Sequence, residues 1–248
     1  MKTFGLIGRH LQHSFSPAYF ANKFELEAIS DCVYKLFPLA QIEDFKGLLQ
    51  KDLNLAGLNV TIPYKQAIIP FLDALSPQAA QIGAVNTIQF MEEKLIGHNT
   101  DVYGFQISLE QKLSPTPFNS KALILGTGGA SKAVAYALEN MGISYQYVSR
   151  KKTPHALCYE LLSPELLQEY LIIINTTPLG MSPNIETCPL LPYTGIGSKH
   201  ILFDLVYNPR QTLFLKKGVE QGAQTINGLE MLHLQAEEAW NIWTTSDN

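Results

Sequence analysis

Apolar residues in this chain fall in short runs of strand length, each followed by a break and then by a mixed, helix-spaced stretch. From the amino terminus, Thr3 to Gly8 reads as a strand leading into a loop over Arg9 to Ser16. Ser16-Pro17 then opens a helix toward Ile29, with Ser16 as the N-cap and Pro17 in the first turn, where a missing N–H does no harm. Val33 to Leu39 is a second strand, Ile42 to Gln50 a helix and Gly57 to Thr61 a third strand, which makes βαβαβ. Pro63 starts a further helix toward Leu75, and Ser76-Pro77 caps another. Val85 to Ile96 is a hairpin turning near Glu92-Glu93, and Thr100 caps a helix from Asp101 to Leu113.

The segment Ser114-Pro-Thr-Pro-Phe-Asn-Ser120 is polar and proline-rich and marks a domain boundary. Beyond it, strands are predicted at Ala122 to Gly126, Ser144 to Val148, Leu171 to Thr176 and Ile201 to Tyr207. Helices are predicted from Ala130, near Ser163 to Tyr170, and over Gln211 to Gln221. Alternation of this kind specifies a parallel sheet with helices on its faces. The last helix, Leu229 to Trp243, is one element too many for that second domain and is expected to fold back onto the first. The expectation is an α/β protein of two domains: residues 1–102 with 227–248, and residues 103–226.

The stretch Lys121 to Ala135 carries the clearest chemistry. Glycines at 126, 128 and 129 stand between a strand and a helix. Without a Cβ the turn can be tight and phosphate can approach the backbone, while unpaired N–H groups at the helix start face it. A dinucleotide fingerprint would have a third glycine where Ser131 stands, and a glycine-rich turn can also be no more than a tight connection. The second strand ends in Ser149-Arg150-Lys151-Lys152, where an NAD-binding unit usually carries an acid for the ribose 2′-hydroxyl. Arg150, about 24 residues after the first glycine, suits a 2′-phosphate instead and favours NADP; a solvated basic loop is the alternative.

Composition narrows the partners. Hydrophobic content of 46% and charged content of 16% describe a soluble globular chain, and a net charge of −4 provides no polybasic footprint for nucleic acid or an anionic membrane. Cys32, Cys158 and Cys188 are far apart and lack C-x-x-C spacing, so neither a disulfide framework nor a zinc knuckle is indicated. A reducing cytoplasm is the expected compartment. The first residues are too glycine-broken for a signal peptide, and no apolar run is long enough to span a membrane.

In the first domain, short polar residues gather at strand and helix ends: Ser14, Ser16, Asn59, Thr61, Asn86, Asn99 and Asp101. Such groups suit a polyhydroxylated small molecule at the carboxyl ends of a parallel sheet, although each alone is as well read as a helix cap. Lys65 stands in the first turn of the helix predicted after Pro63, where a cation opposes the macrodipole. A proton donor to a carbonyl undergoing reduction would explain it; so would an ordinary surface lysine.

Gly57-Leu-Asn-Val-Thr-Ile-Pro-Tyr-Lys65, Gly83-Ala-Val-Asn-Thr87, Asn99-Thr-Asp101, Gly126-Thr-Gly-Gly-Ala130, Asn175-Thr-Thr-Pro-Leu-Gly-Met181, Asp204 to Leu215 and Asn227 to Gln235 together resemble the shikimate dehydrogenase family, in order along nearly the whole chain. The resemblance implies a substrate domain and a Rossmann-like NADP domain, and the reversible NADPH-dependent reduction of 3-dehydroshikimate to shikimate. By it, Ser14 and Ser16 bind the substrate carboxylate. Thr61, Asn86, Asp101 and Gln235 bind ring oxygens, and Tyr207 lies at the substrate edge. Lys65 and Asp101 are the implied catalytic pair, with no metal. Gly126, Gly128, Gly129, Ala130, Ser149, Arg150 and Gly228 fall to the cofactor. His13 matches the family pattern, in a structural capacity. The implied partner is a small molecule, with neither nucleic acid nor membrane, and the chain would act as a monomer or homodimer. An NAD-using quinate/shikimate dehydrogenase and a non-catalytic nucleotide-binding paralogue are the rivals. Ser149-Arg150-Lys151 departs from the family's usual Asn-Arg-Thr, and Lys151 to Tyr170 is short, so a reduced helix is expected there.

Overall fold

A computed structural model describes the chain apart from residues 13, 52, 114–119, 152 and 246–248. His13, Lys152 and nearly all of the expected linker therefore lie outside the described residues. The chain divides into two compact units, Met1–Thr100 with Ala236–Asn248, and Asp101–Gln235.

The first unit runs β1 (Lys2–Gly8), α1 (Ser16–Leu26), β2 (Cys32–Pro38), α2 (Asp44–Leu49), β3 (Leu55–Val60), β4 (Ala74–Leu75), α3 (Pro77–Ile82), β5 (Thr87–Met91) and β6 (Lys94–His98). Its sheet has the order β2-β1-β3-β5-β6-β4. β1 is parallel to both β2 and β3, whereas β5 is antiparallel to β3 and β6. The hairpin turns at Glu92 and Glu93, both with positive φ.

The second unit runs α4 (Asp101–Glu110), β7 (Lys121–Leu125), α5 (Gly129–Asn140), β8 (Ser144–Ser149), β9 (Ala156–Cys158), α6 (Pro164–Leu167), β10 (Ile172–Asn175), β11 (Ile201–Asp204), α7 (Leu213–Glu220), β12 (Gln224–Asn227) and the start of α8 (Leu229–Thr244). All its strand pairs are parallel, in the order β12-β11-β10-β7-β8-β9. Counted from β7, that is the doubly wound 3-2-1-4-5-6 order, with its topological switch point between β7 and β10. Leu123, Ile173 and Leu202 are fully buried in its core. Short β9 and the one-turn α6 take the place of a full crossover helix after β8, as the short Lys151 to Tyr170 segment implied.

Only the carboxyl half of α8 folds back into the first unit; its amino half, expected there too, groups with the second. Ala236, Ala239 and Trp243 share a core cluster with Phe4, Phe20, Phe24 and Tyr34. Trp243 stacks on Phe4 with centroids 4.9 Å apart, and its indole N–H donates to the Ile88 carbonyl at 3.0 Å. Gly57 is required beneath it, because a Cβ there would run into the indole. Lys23 of α1 clamps the same helix by donating to Glu237 at 2.7 Å, and it also donates to Glu27 at the end of its own helix at 2.6 Å.

The structure corrects two local expectations. No α-helix starts at Pro63: the chain makes turns, a 3₁₀ turn at Ile69–Phe71 and the short β4. Pro70 has no N–H to donate to the Gln66 carbonyl, and the Lys65 carbonyl accepts from the Val85 N–H instead of from its own segment. Ser16 is not the N-cap of α1; Phe15 is, with helical dihedrals, and no side chain caps that end. Strands β4, β9 and β12 are too short to stand out by hydrophobic pattern.

Candidate active site

In the first unit the polar residues collect where β3 ends and β5 begins. The Val60 N–H donates to the Asn86 carbonyl at 2.8 Å and the Thr61 N–H to Ile7 at 2.9 Å. The Val85 N–H donates to the Lys65 carbonyl at 2.7 Å. Backbone bonds therefore tie the neighbours of Thr61 and Asn86 together and hold the Lys65 backbone against the residue before Asn86. Tyr64, buried beside Lys65, donates its hydroxyl to the Leu39 carbonyl at 2.8 Å, which anchors the turn from below. Lys65 is half-buried in that turn. Its placement at a helix start is corrected, and with it the macrodipole argument for its unusual position.

Side chains knit the cluster further. The Tyr34 hydroxyl donates to Asn59 Oδ1 at 2.7 Å, and Asn59 Nδ2 donates to Thr87 Oγ1 at 3.2 Å and to the Asn86 carbonyl at 3.3 Å. Thr87 Oγ1 donates to Asn86 Oδ1 at 3.1 Å, and Asn86 Nδ2 to Thr100 Oγ1 at 2.9 Å. Asn59, Asn86, Thr87 and Thr100 are all buried, so these bonds replace water rather than compete with it. Ser14 and Ser16 are half-buried at the start of α1. Tyr34, Thr87 and Thr100 are the members that pattern reading left out; the one sequence signal was a tyrosine in the inward phase of an apolar strand.

In the second unit the glycine turn leaves β7 at the switch point. Gly126 has φ +111°, and a Cβ there would lie 2.8 Å from Thr176 Oγ1, so both backbone and space demand glycine. Gly128 is the N-cap of the 12-residue α5, without a side-chain cap, and a Cβ added there meets no heavy atom within 4 Å. Gly129 and Ala130 form the first turn. Ser131, fully buried in place of the fingerprint's third glycine, donates to the Gly128 carbonyl at 2.7 Å and braces the turn. The result is an open anion site of backbone N–H groups and helix dipole.

Arg150 follows β8 directly and is exposed. The Gly126 N–H donates to the Val148 carbonyl at 2.8 Å, which brings the glycine turn and the Ser149-Arg150 end side by side. Arg150 also lies close enough to Tyr159 to favour its phenolate, against burial that pushes that hydroxyl up to about 12. These residues fit a nucleotide carrying an additional ribose phosphate: an unfilled glycine turn, a helix start, and a guanidinium with no carboxylate in the 149–151 run.

Farther along the sheet, buried Asp204 accepts from Thr212 Oγ1 at 2.5 Å, Asn175 Nδ2 at 2.9 Å and the Val206 N–H at 3.0 Å. Burial pushes its carboxyl up to about 6, with those three bonds acting in the other direction. Tyr207 is half-buried just beyond, and Gly228 is packed so tightly under Leu205 and Asp204 that a Cβ would strike backbone. Asp101 is buried in the first turn of α4, where a carboxylate favours the helix. Gly104, one turn later on that face, lets α8 approach: a Cβ there would lie 2.5 Å from the Met231 carbonyl and 3.2 Å from Gln235 Cβ. Gln235 thus comes to the α4 face that bears Asp101.

The family model for the shikimate dehydrogenase substrate binding domain matches residues 6–88. The NADP(+) shikimate dehydrogenase of Carboxydothermus hydrogenoformans is 39% identical over 98% of this chain and 91% of its own. A crystal structure of the Thermus thermophilus shikimate 5-dehydrogenase, in complex with NADP(H) and shikimate, superposes with a TM-score of 0.85 at 31% identity, covering 99% of this chain and 94% of that one. A Corynebacterium glutamicum quinate dehydrogenase in complex with NAD gives 0.86 at 29% identity, over 99% of this chain and 95% of that one. At such identity over nearly the full length of both chains, this chain belongs to the shikimate dehydrogenase family.

Proposed function

We propose that this chain is an NADP-dependent shikimate dehydrogenase that reversibly reduces 3-dehydroshikimate to shikimate in the biosynthesis of chorismate and the aromatic amino acids. Ser14 and Ser16 bind the substrate carboxylate, Thr61, Asn86, Asp101 and Gln235 its ring oxygens, and Tyr207 its edge. The open glycine turn at Gly126, Gly128, Gly129 and Ala130 receives the cofactor pyrophosphate, Ser149 and Arg150 its ribose phosphate, and Gly228 its nicotinamide amide. Bound NADPH supplies hydride to the ring carbonyl carbon. Lys65 donates a proton to the carbonyl oxygen as negative charge develops there, and takes it back from the hydroxyl in the oxidation direction. Asp101 supplies the carboxylate of the catalytic pair, balancing the ammonium and accepting from a neighbouring substrate hydroxyl.

The observation that carries this reading is the backbone bond from Val85 to Lys65. It holds the one half-buried cation of the Thr61-to-Asn86 cluster in step with Asn86, as a positioned acid must be. The chain acts as a monomer or homodimer, and operation in the cytoplasm is in keeping with three free cysteines. No helix among the described residues is long and apolar enough to cross a membrane. The test is a panel of shikimate and quinate with NADP and NAD. Highest kcat/KM is expected for shikimate with NADP. Preference for quinate with NAD, or no turnover in any combination, would overturn the assignment.

A further inference from the structure

Tyr34 touches two members of the proposed substrate cluster at once. It lies on β2, buried, with its ring stacked on Phe20 of α1 at a centroid distance of 4.4 Å and 11° between planes. Ser16 is one turn before Phe20 on the same helix face, and its hydroxyl is a polar neighbour of the Tyr34 oxygen. On its other side the Tyr34 hydroxyl donates to Asn59 Oδ1 at 2.7 Å. The Asn59 amide cannot turn over: its Nδ2 faces the Asn86 carbonyl at 3.3 Å, which can only accept, so its Oδ1 must face Tyr34. From there the donors run one way, Tyr34 to Asn59, Asn59 to Thr87, Thr87 to Asn86 and Asn86 to Thr100.

We infer that Tyr34 is a positioning residue for shikimate, holding Ser16 on α1 and, through Asn59 and Thr87, Asn86 on the sheet in one fixed arrangement. The inference rests on the substrate roles proposed above for Ser16 and Asn86. Without the hydroxyl, Asn59 Oδ1 is left buried and unpaired, and the amide that orients Thr87 loses its fixed facing. Binding of the substrate is then weakened while the nucleotide half is untouched.

The experiment compares wild type and Tyr34→Phe, which keeps the stacked ring, in steady-state kinetics with shikimate and NADP. The Michaelis constant for shikimate is expected to rise by about tenfold with that for NADP unchanged. Combined with Ser16→Ala, the effects should be less than additive, because both changes loosen the same contact. Should Tyr34→Phe fail to fold, Thr87→Val breaks the relay two links on and should raise the same constant, whereas Thr87→Ser, which keeps the hydroxyl, should restore it. A shikimate constant within about twofold of wild type, equal weakening of shikimate and NADP, or strict additivity with Ser16→Ala would overturn the inference. Wild type that does not turn over shikimate overturns the functional reading itself, and is seen before any variant is made.

Discussion

The backbone N–H of Thr100 lies 2.7 Å from Oδ1 of Asn86, and because that N–H can only donate, the bond decides which way the Asn86 amide faces. The orientation matters twice. It presents Nδ2 to Thr100 Oγ1, and it fixes the backbone immediately before Asp101 against the segment that leads into β5. The amide proposed to bind substrate and the entry to the helix bearing the proposed catalytic carboxylate thereby share one contact.

Asp204 should make stability depend on pH in an unusual direction. Burial raises its carboxyl from 3.8 to about 6 in the folded state. A group that holds its proton more tightly when folded favours folding below its unfolded value and loses that contribution as pH rises through its folded value. Over that window the loss is about 3 kcal/mol. Urea unfolding of wild type and Asp204→Asn at acidic and neutral pH checks this. The stability of wild type relative to the variant should fall as pH rises from below 4 to above 6. A difference independent of pH would contradict it.

Gly104 should be irreplaceable for a steric reason. A methyl 2.5 Å from the Met231 carbonyl and 3.2 Å from Gln235 must push α8 off α4. Gly104→Ala is expected to lower stability by about 1–3 kcal/mol, read from denaturant midpoints, and to raise the shikimate Michaelis constant by moving Gln235. Gln235→Ala should reproduce the kinetic effect without the loss of stability. An effect of Gln235→Ala confined to NADP would contradict its assignment to the substrate.

Coenzyme choice should depend on Arg150. The guanidinium can meet a 2′-phosphate with paired charge-assisted bonds, and against NAD it faces water at little cost because it is exposed. A preference for NADP of roughly 10- to 10³-fold follows. Arg150→Ala should remove most of it by raising the NADP constant alone, and Lys151 should contribute less as a screened point charge. Equal weakening of both coenzymes would make the run a solvated loop.

Much of this was legible in the chain because its signals are local. The β7–glycine–α5 turn, the Glu92-Glu93 hairpin and the fold-back of α8 follow from strand length, glycine spacing and an element left without a sheet position. Lys65 was picked out for a reason that fails, since the Pro63 helix does not form: Pro70 and the bond to Val85 override the proline start signal. Tyr34 and Thr87 could not be found by pattern, because their importance lies in hydrogen bonds between residues 25 and 28 positions apart. Short strands such as β9 and β12 exist through their neighbours in the sheet, not through their own residues.

Lys65→Met tests the central claim most directly, measured as shikimate binding by calorimetry beside turnover with NADP. The side chain keeps its length and loses its proton, so shikimate should still bind within about tenfold of wild type while turnover falls by about 10²-fold or more. Turnover within about threefold of wild type would contradict the assignment of Lys65 as the acid, and with it the mechanism proposed for this chain.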